Sequence, residues 1–301
     1  MPPESLAPAP APVSAAAGSA SRNPLWVVLG IVVVLAAIVL IYWLHFAPSP
    51  YQARVSFIEH GATTWYQVTG DTATPATHPE GYDSASVNVV NAAPALASGA
   101  VPVLALGSDG LSLGLMQNGS FTRLLGPGAR YYLSDDGQGT VFYVQTSSSS
   151  EPSRLYSYEP GNPSAVPQEL AVAAVAAAAP DGSVVAVTPD GIVRITPGAS
   201  STPAVLVPAP ASGPLYYPAV AAGGVAAAYW DSVTNTINLY DLTKPNGTAQ
   251  VASIELSQLQ PTALSFTASG ELVVKTGDTL TFYPVRSGST ADRTVTITHA
   301  N

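Results

Sequence analysis

The sequence predicts an all-β protein of about five or six four-stranded units in series, preceded by a single transmembrane helix and a disordered N-terminal tail. Three observations carry this prediction. After Pro50, short runs rich in Val, Ile, Tyr and Thr alternate with Asp-Gly, Asn-Gly, Ser-Gly and Pro-containing turns, the pattern of strands joined by tight connections. Glycines that open such turns recur at Gly99, Gly137, Gly182, Gly224 and Gly270. One long stretch near the start, residues 24–46, carries no charged side chain.

Composition narrows the functions available. Of 301 residues only 10% are charged while 47% are hydrophobic, and 10 Lys+Arg against 19 Asp+Glu give a net charge of −9. A chain without a basic field does not hold a phosphate backbone, so nucleic acid is not an expected partner. The absence of cysteine from the sequence removes disulfides, thiol catalysis, zinc ribbons and iron–sulfur clusters.

Taken in order, residues 1–23 are mostly Pro, Ala, Ser and Gly, with Glu4 and Arg22 as their only charges. Such a stretch cannot bury enough apolar area to offset chain entropy, and it is expected to be a disordered tail. Residues 24–46 follow, a Val/Leu/Ile run long enough for the about 20 apolar residues of a membrane span, with Trp26 at one end and Tyr42 and Trp43 at the other. Rings at both ends suit the two interfaces. A buried core helix and a cleaved signal peptide compete with this expectation. The run is longer than a signal peptide's apolar region, and Ala47-Pro48-Ser49-Pro50 makes a poor processing site, which favours an uncleaved anchor in the membrane. Arg22 lies closer to the run than Arg54 does, so the charge bias expects a cytoplasmic N-terminus and an exported C-terminal domain.

Residues 47–90 read as a linker and an irregular first β unit, with strands at 54–58, 65–68 and 87–90 and a turn-rich insertion at 69–86. Residues 91–301 carry the repeats. Each copy has a small-residue strand, a glycine turn, a hydrophobic strand, a second turn, a third strand and a looser fourth. In the clearest copy Asp181-Gly182 precedes Val184-Val185-Ala186-Val187, and Pro189-Asp190-Gly191 leads to Ile192-Val193-Arg194-Ile195. The alanine run at 171–179 is a good helix former, yet it ends in Pro180-Asp181-Gly182 and a valine strand, suits a tightly packed inner strand equally well, and is expected to be a strand.

The first-turn glycines recur at about 40–45 residues, the period of four-stranded propeller blades, and Asn238-Leu239-Tyr240-Asp241-Leu242 looks like the third-strand close of many blades. By these residues the chain resembles the β-propeller repeat proteins from about Ala92 onward, although no blade carries the Gly-His and Trp-Asp pair of the WD40 class. The resemblance is one of fold. A β-sandwich or two small β domains would use the same alternating strands.

Chemistry has few candidates. The carboxylates of Asp109, Asp135, Asp136, Asp181, Asp190, Glu271 and Asp278 stand in turns, where their ordinary role is to hydrogen-bond backbone. His60 and His78 with Glu59 or Glu80 could bind zinc, but no close ligand spacing supports it; His45 and His299 lie apart. Residues 134–140 approach the Asp-box turn of sialidase-like propellers, without the arginine cluster that those enzymes use: Arg123, Arg130, Arg154 and Arg194 are single residues in successive units. Asn118-Gly119-Ser120 and Asn246-Gly247-Thr248 match the glycosylation pattern, but Asn-Gly is also the preferred hairpin turn. No catalytic, cofactor-binding or metal-binding residue is therefore assigned, and no cofactor is expected. Tyr131-Tyr132, Tyr156 with Tyr158, Tyr216-Tyr217 and Tyr229-Trp230 cluster at unit boundaries. Because adjacent strand residues face opposite sides, half of each pair is expected to pack between units. The expected function is a non-catalytic, membrane-anchored extracytoplasmic module that binds or scaffolds a protein partner. Two alternatives stand beside it, a propeller-type hydrolase or lyase acting on surface glycans or lactones, and a structural subunit of an envelope or secretion complex.

Overall fold

The computed structural model describes residues 28–29, 32–35 and 51–298, apart from 60–61, 83–84, 137–138, 147–150, 163, 200–201, 212, 244–248, 257–259 and 286–289. The chain divides into two compact units, Met1–Ser49 and Pro50–Asn301. In the first, the described residues are helical at 28–29 and 32–35. Among the described residues no helix is long and apolar enough to cross a membrane. This corrects the expected transmembrane helix over 24–46, and with it the single-pass placement with a cytoplasmic N-terminus and an exported C-terminal domain. The expectation rested on apolar composition, whereas a span needs about 20 consecutive helical residues. The rest of 24–46 and the expected tail at 1–23 lie outside the described residues.

The second unit is built of strands. Its first sheet segment holds β1 (Gln52–Glu59), β2 (Ala62–Thr69) and β3 (Thr72–Ala76). The second has β4 (Asn88–Ala92), β5 (Val101–Gly107), β6 (Gly110–Gln117) and β7 (Ser120–Leu125). The third has β8 (Ala129–Asp135), β9 (Val141–Thr146), β10 (Arg154–Tyr158) and β11 (Gln168–Val172). The fourth has β12 (Val175–Ala178), β13 (Val184–Thr188), β14 (Gly191–Ile195) and β15 (Ala204–Pro208). The fifth has β16 (Tyr216–Val220), β17 (Ala226–Asp231), β18 (Thr236–Asp241) and β19 (Ala249–Glu255). The sixth has β20 (Ala263–Phe266), β21 (Glu271–Thr276), β22 (Thr279–Pro284) and β23 (Arg293–Ile297). Within each unit consecutive strands pair antiparallel in chain order. The alanine run thus supplies the half-buried end of β11 and all of β12, which is buried throughout.

From the second unit to the sixth, each unit packs on its sequence neighbours, and period-2 alternation explains how. On β13, Val184 and Ala186 join a core with Phe142, Val144 and Leu155 of the third unit, while Val185 and Val187 join one with Tyr229 and Tyr240 of the fifth. On β17, Ala228 and Trp230 turn the other way, to Leu264 and Leu272 of the sixth. A sheet buried on both faces reads as a continuous hydrophobic run, which accounts for the lopsided composition. The ring closes through a seven-stranded sheet in the order β1-β2-β3-β23-β22-β21-β20. β23 pairs antiparallel with β22 and parallel with β3, through Thr296 opposite Thr72 and Ile297 opposite Ala73. Tyr51 fastens the same junction. Its hydroxyl donates to Glu271 Oε2 at 2.7 Å and its ring lies 3.4 Å from the Arg293 guanidinium.

Burial pushes the hydroxyls of Tyr51, Tyr82, Tyr240 and Tyr283 above the usual tyrosine value, aided at Tyr51 by the bond to Glu271 and at Tyr240 by the bond to Tyr229. Each group holds its proton more tightly folded than unfolded. The stability they contribute is therefore complete below about pH 10, where tyrosines of the unfolded chain ionise, and is lost as pH rises beyond it. The chemical-denaturation midpoint is expected to fall between about pH 9 and about pH 11, and Tyr240→Phe should flatten that fall. An unchanged slope in the variant would remove the buried hydroxyl as its cause.

Candidate functional site

The inner strands β1, β4, β8, β12, β16 and β20 line a central channel of about 540 Å³. Strands from six units converge there, and convergence favours small side chains: Ala92, Ala176, Ala177, Ala178 and Ala219 form much of the wall, joined by the rings of Trp65 and Phe266. Among the described residues, the charged side chains that reach the lining are Arg54 and Asp136. Arg54 Nε donates to Gln67 Oε1 at 3.0 Å and its Nη1 to the His78 carbonyl at 2.8 Å, tying the first unit to the loop that follows it. Asp136 Oδ1 accepts the backbone N–H groups of Gly139 and Thr140, both at 3.1 Å. Both groups are thus bound to the framework that positions them. Ser134 also serves the framework, its Oγ accepting from the Ala178 N–H of the next unit at 2.9 Å.

The remaining acidic turns behave as their context predicts. Asp109 pairs with Arg123 at 3.1 Å on the surface. Asp181 accepts from the Ser183 hydroxyl and amide, which hold its carboxyl below the usual carboxylate range. Arg194 stands 3.9 Å from Asp181, and Arg154 pairs with Glu169. His78 Nδ1 lies 3.4 Å from the Val89 carbonyl. Among the described residues no three His, Cys, Asp or Glu gather as a metal-binding group. His45, His60, His299 and residues 246–248 lie outside the described residues, as do the side chains of Glu59, Arg130, Tyr131, Tyr132 and Asp135. Asn118 and Gly119 occupy the β6–β7 turn with φ of 51° and 76°, the paired positive angles of a type I′ hairpin.

Sequence alternation missed one feature. Tyr229 and Trp230 are both buried, each facing a different neighbour, whereas Tyr216 and Tyr217 are both exposed, at 40% and 42%. The cause is a bulge: Tyr216 pairs with Trp230 and Ala219 with Ala228, so two residues of β16 oppose Tyr229 alone. An extra residue re-aims side chains locally, and both tyrosine rings come to rest on one indole. Tyr216 is tilted against Trp230 with centroids 5.6 Å apart, and Tyr217 is stacked on it at 6.0 Å. Tyr217 adopts φ +46°, a left-handed conformation that costs a bulky residue about 1–3 kcal/mol. Trp230 is held from below, its Nε1 donating to Asn235 Oδ1 at 3.2 Å while Asn235 Nδ2 donates to the Leu256 carbonyl at 2.8 Å. The sequence signal was Pro218, which cannot donate to a ladder and marks irregular strands.

No family model and no curated protein matches the chain. Solved structures do. A chain of a nidogen/laminin complex superimposes with TM-score 0.51 at 14% identity, over 81% of this chain and 93% of that one. The Swd1 (Cps50) β-propeller domain of Myceliophteria thermophila does so with TM-score 0.52 at 12% identity, over 82% and 86%. At these identities the similarity speaks for architecture alone, and with the radial sheets described above it makes this chain's fold a β-propeller.

Proposed function

We propose that this β-propeller is a non-catalytic module that binds a protein partner through the rim carrying Tyr216 and Tyr217. The single observation behind this reading is the aromatic platform. Tyrosine and tryptophan dominate the energetic centres of protein interfaces, and here two tyrosine rings are displayed to solvent on a tryptophan that the fold locks in place. Val233, 69% exposed in the β17–β18 turn, extends the apolar surface at the same strand ends. In the channel, the charged side chains of Arg54 and Asp136 are engaged by backbone and amide groups of the blades, which supports placing the binding surface on the rim.

The test is site-specific photo-crosslinking in the native cell. A photoreactive residue at Val233 is expected to give one discrete protein adduct, which the same residue at exposed Val166, on the β10–β11 connection, does not give. Identical adducts from both positions, or none from Val233, would overturn the reading. Turnover of a glycan or lactone that Asp136→Asn abolishes in a folded variant would replace it with the hydrolase or lyase alternative.

A further inference from the structure

The rim that carries the platform has a second feature. An open groove of about 600 Å³ runs beside the β15–β16 connection, and none of its lining residues is charged. Four of them, Pro152, Pro189, Pro210 and Pro214, are prolines, and the lining ends at Leu215, the residue before Tyr216. Groove and platform therefore follow one another along the chain. All of their residues belong to connections and strand ends of the third, fourth and fifth units.

The chemistry of this surface selects among occupants. A groove without a cationic side chain gives no hold to a phosphate or carboxylate. A strand added edge-on needs a row of backbone N–H donors, and proline supplies none. A polyproline II segment makes no internal hydrogen bonds and turns its carbonyls outward. It asks of a receptor flat apolar rings to pack its prolines against and a few side-chain donors for its carbonyls. Tyr216 and Tyr217 offer both: exposed faces, and hydroxyls that make no hydrogen bond among the described residues. The bulge and the left-handed Tyr217 fix these rings before any ligand arrives, and strain held at a defined position is a feature of ligand clamps.

We propose that the partner of this rim presents a proline-rich segment in the polyproline II conformation, its prolines packed on Tyr216 and Tyr217 and its continuation lying in the groove that ends at Leu215. This rests on the partner-binding reading above and gives it a ligand class. The surface binds the segment largely preformed on both sides, so little chain entropy is lost on docking.

The experiment is a fluorescence-anisotropy titration of a fluorescein-labelled ten-proline peptide with the full-length protein, beside a Gly/Ser peptide of equal length. Saturable binding of the polyproline peptide alone is expected. Tyr217→Ala and Tyr216→Ala should each weaken it at least about tenfold, as loss of an aromatic anchor does. Tyr217→Gly separates binding from folding: it relieves the positive φ, so the unfolding midpoint should rise while peptide binding is lost. A flat titration with the polyproline peptide overturns the proposal. So does equal binding of the Gly/Ser peptide, or binding that Tyr217→Gly leaves intact. Concentration-dependent dimerisation that Tyr217→Ala dissolves, without peptide binding, would instead make a second copy the occupant. A flat titration together with a discrete Val233 adduct would overturn the ligand class and leave the partner-binding reading standing.

Discussion

Gly191→Ala is expected to destabilise the protein by several kcal/mol, through two separable causes. Gly191 opens β14 with φ +123°, and a Cβ there would stand 2.1 Å from the Val207 carbonyl oxygen and 2.7 Å from the Ala209 nitrogen. The backbone conformation alone costs a substituted residue about 1–3 kcal/mol. Forcing an atom into the β14–β15 ladder adds about 1–3 kcal/mol of overpacking strain. Gly182 is the internal control, because its φ is +78° but nothing lies within 4 Å of an added Cβ. Chemical denaturation of both variants should show Gly191→Ala losing clearly more than Gly182→Ala. Equal losses would mean that β15 swings away at no cost and that the close approach is not a constraint.

Phe282→Ala should cost about 3–5 kcal/mol, the range for deleting a fully buried aromatic ring. Phe282 is 0% exposed, in the core that joins the sixth unit to the first, with Val55, Phe57 and Val295 around it and Tyr51 edge-on at 5.8 Å. Its loss empties the one junction made by residues from opposite ends of the domain. The expected signature is therefore local as well as global: limited proteolysis should cut first near β1 and β23, before any cut among the second to fifth units. A variant with the lowered midpoint but uniform cleavage would show that the junction is no weaker than its neighbours.

What could be read from the residues alone was whatever local backbone chemistry determines. Gly99, Gly182 and Gly270 have φ of 79°, 78° and 85° in the first turns of their units, and that shared need for a left-handed residue is what made the repeat visible. The strand nature of Val175–Ala178 was open from propensity, since alanine favours helix; burial on both faces between the third and fifth units decides it. Ring closure was hidden, because the pairing of Thr72-Ala73 with Thr296-Ile297 leaves no periodic trace in either segment. The platform was hidden for a related reason. Alternation assigns one of two adjacent tyrosines to the core, and a single extra residue in β16 overrides it at Tyr216 and Tyr217. At residues 24–46 hydropathy gave an apolar composition, whereas among the described residues no helix is long and apolar enough to cross a membrane.

The order in which the chain leaves the ribosome gives the closing sheet a further meaning. The third to fifth units can each pack on the one just synthesised, because their cores join sequence neighbours. The first unit cannot finish: its Val55, Phe57 and Val68 share a core with Val273, Phe282 and Val295, and Tyr51 waits for a partner 220 residues downstream. Throughout elongation, one sheet therefore shows an apolar face and an unpaired edge at β3, the features that recruit holding chaperones and invite pairing between nascent chains. Only release of the last strand removes them. A premature stop before Arg293 would make that exposure permanent, so truncated products are expected to be cleared by proteolysis rather than to accumulate as shortened rings.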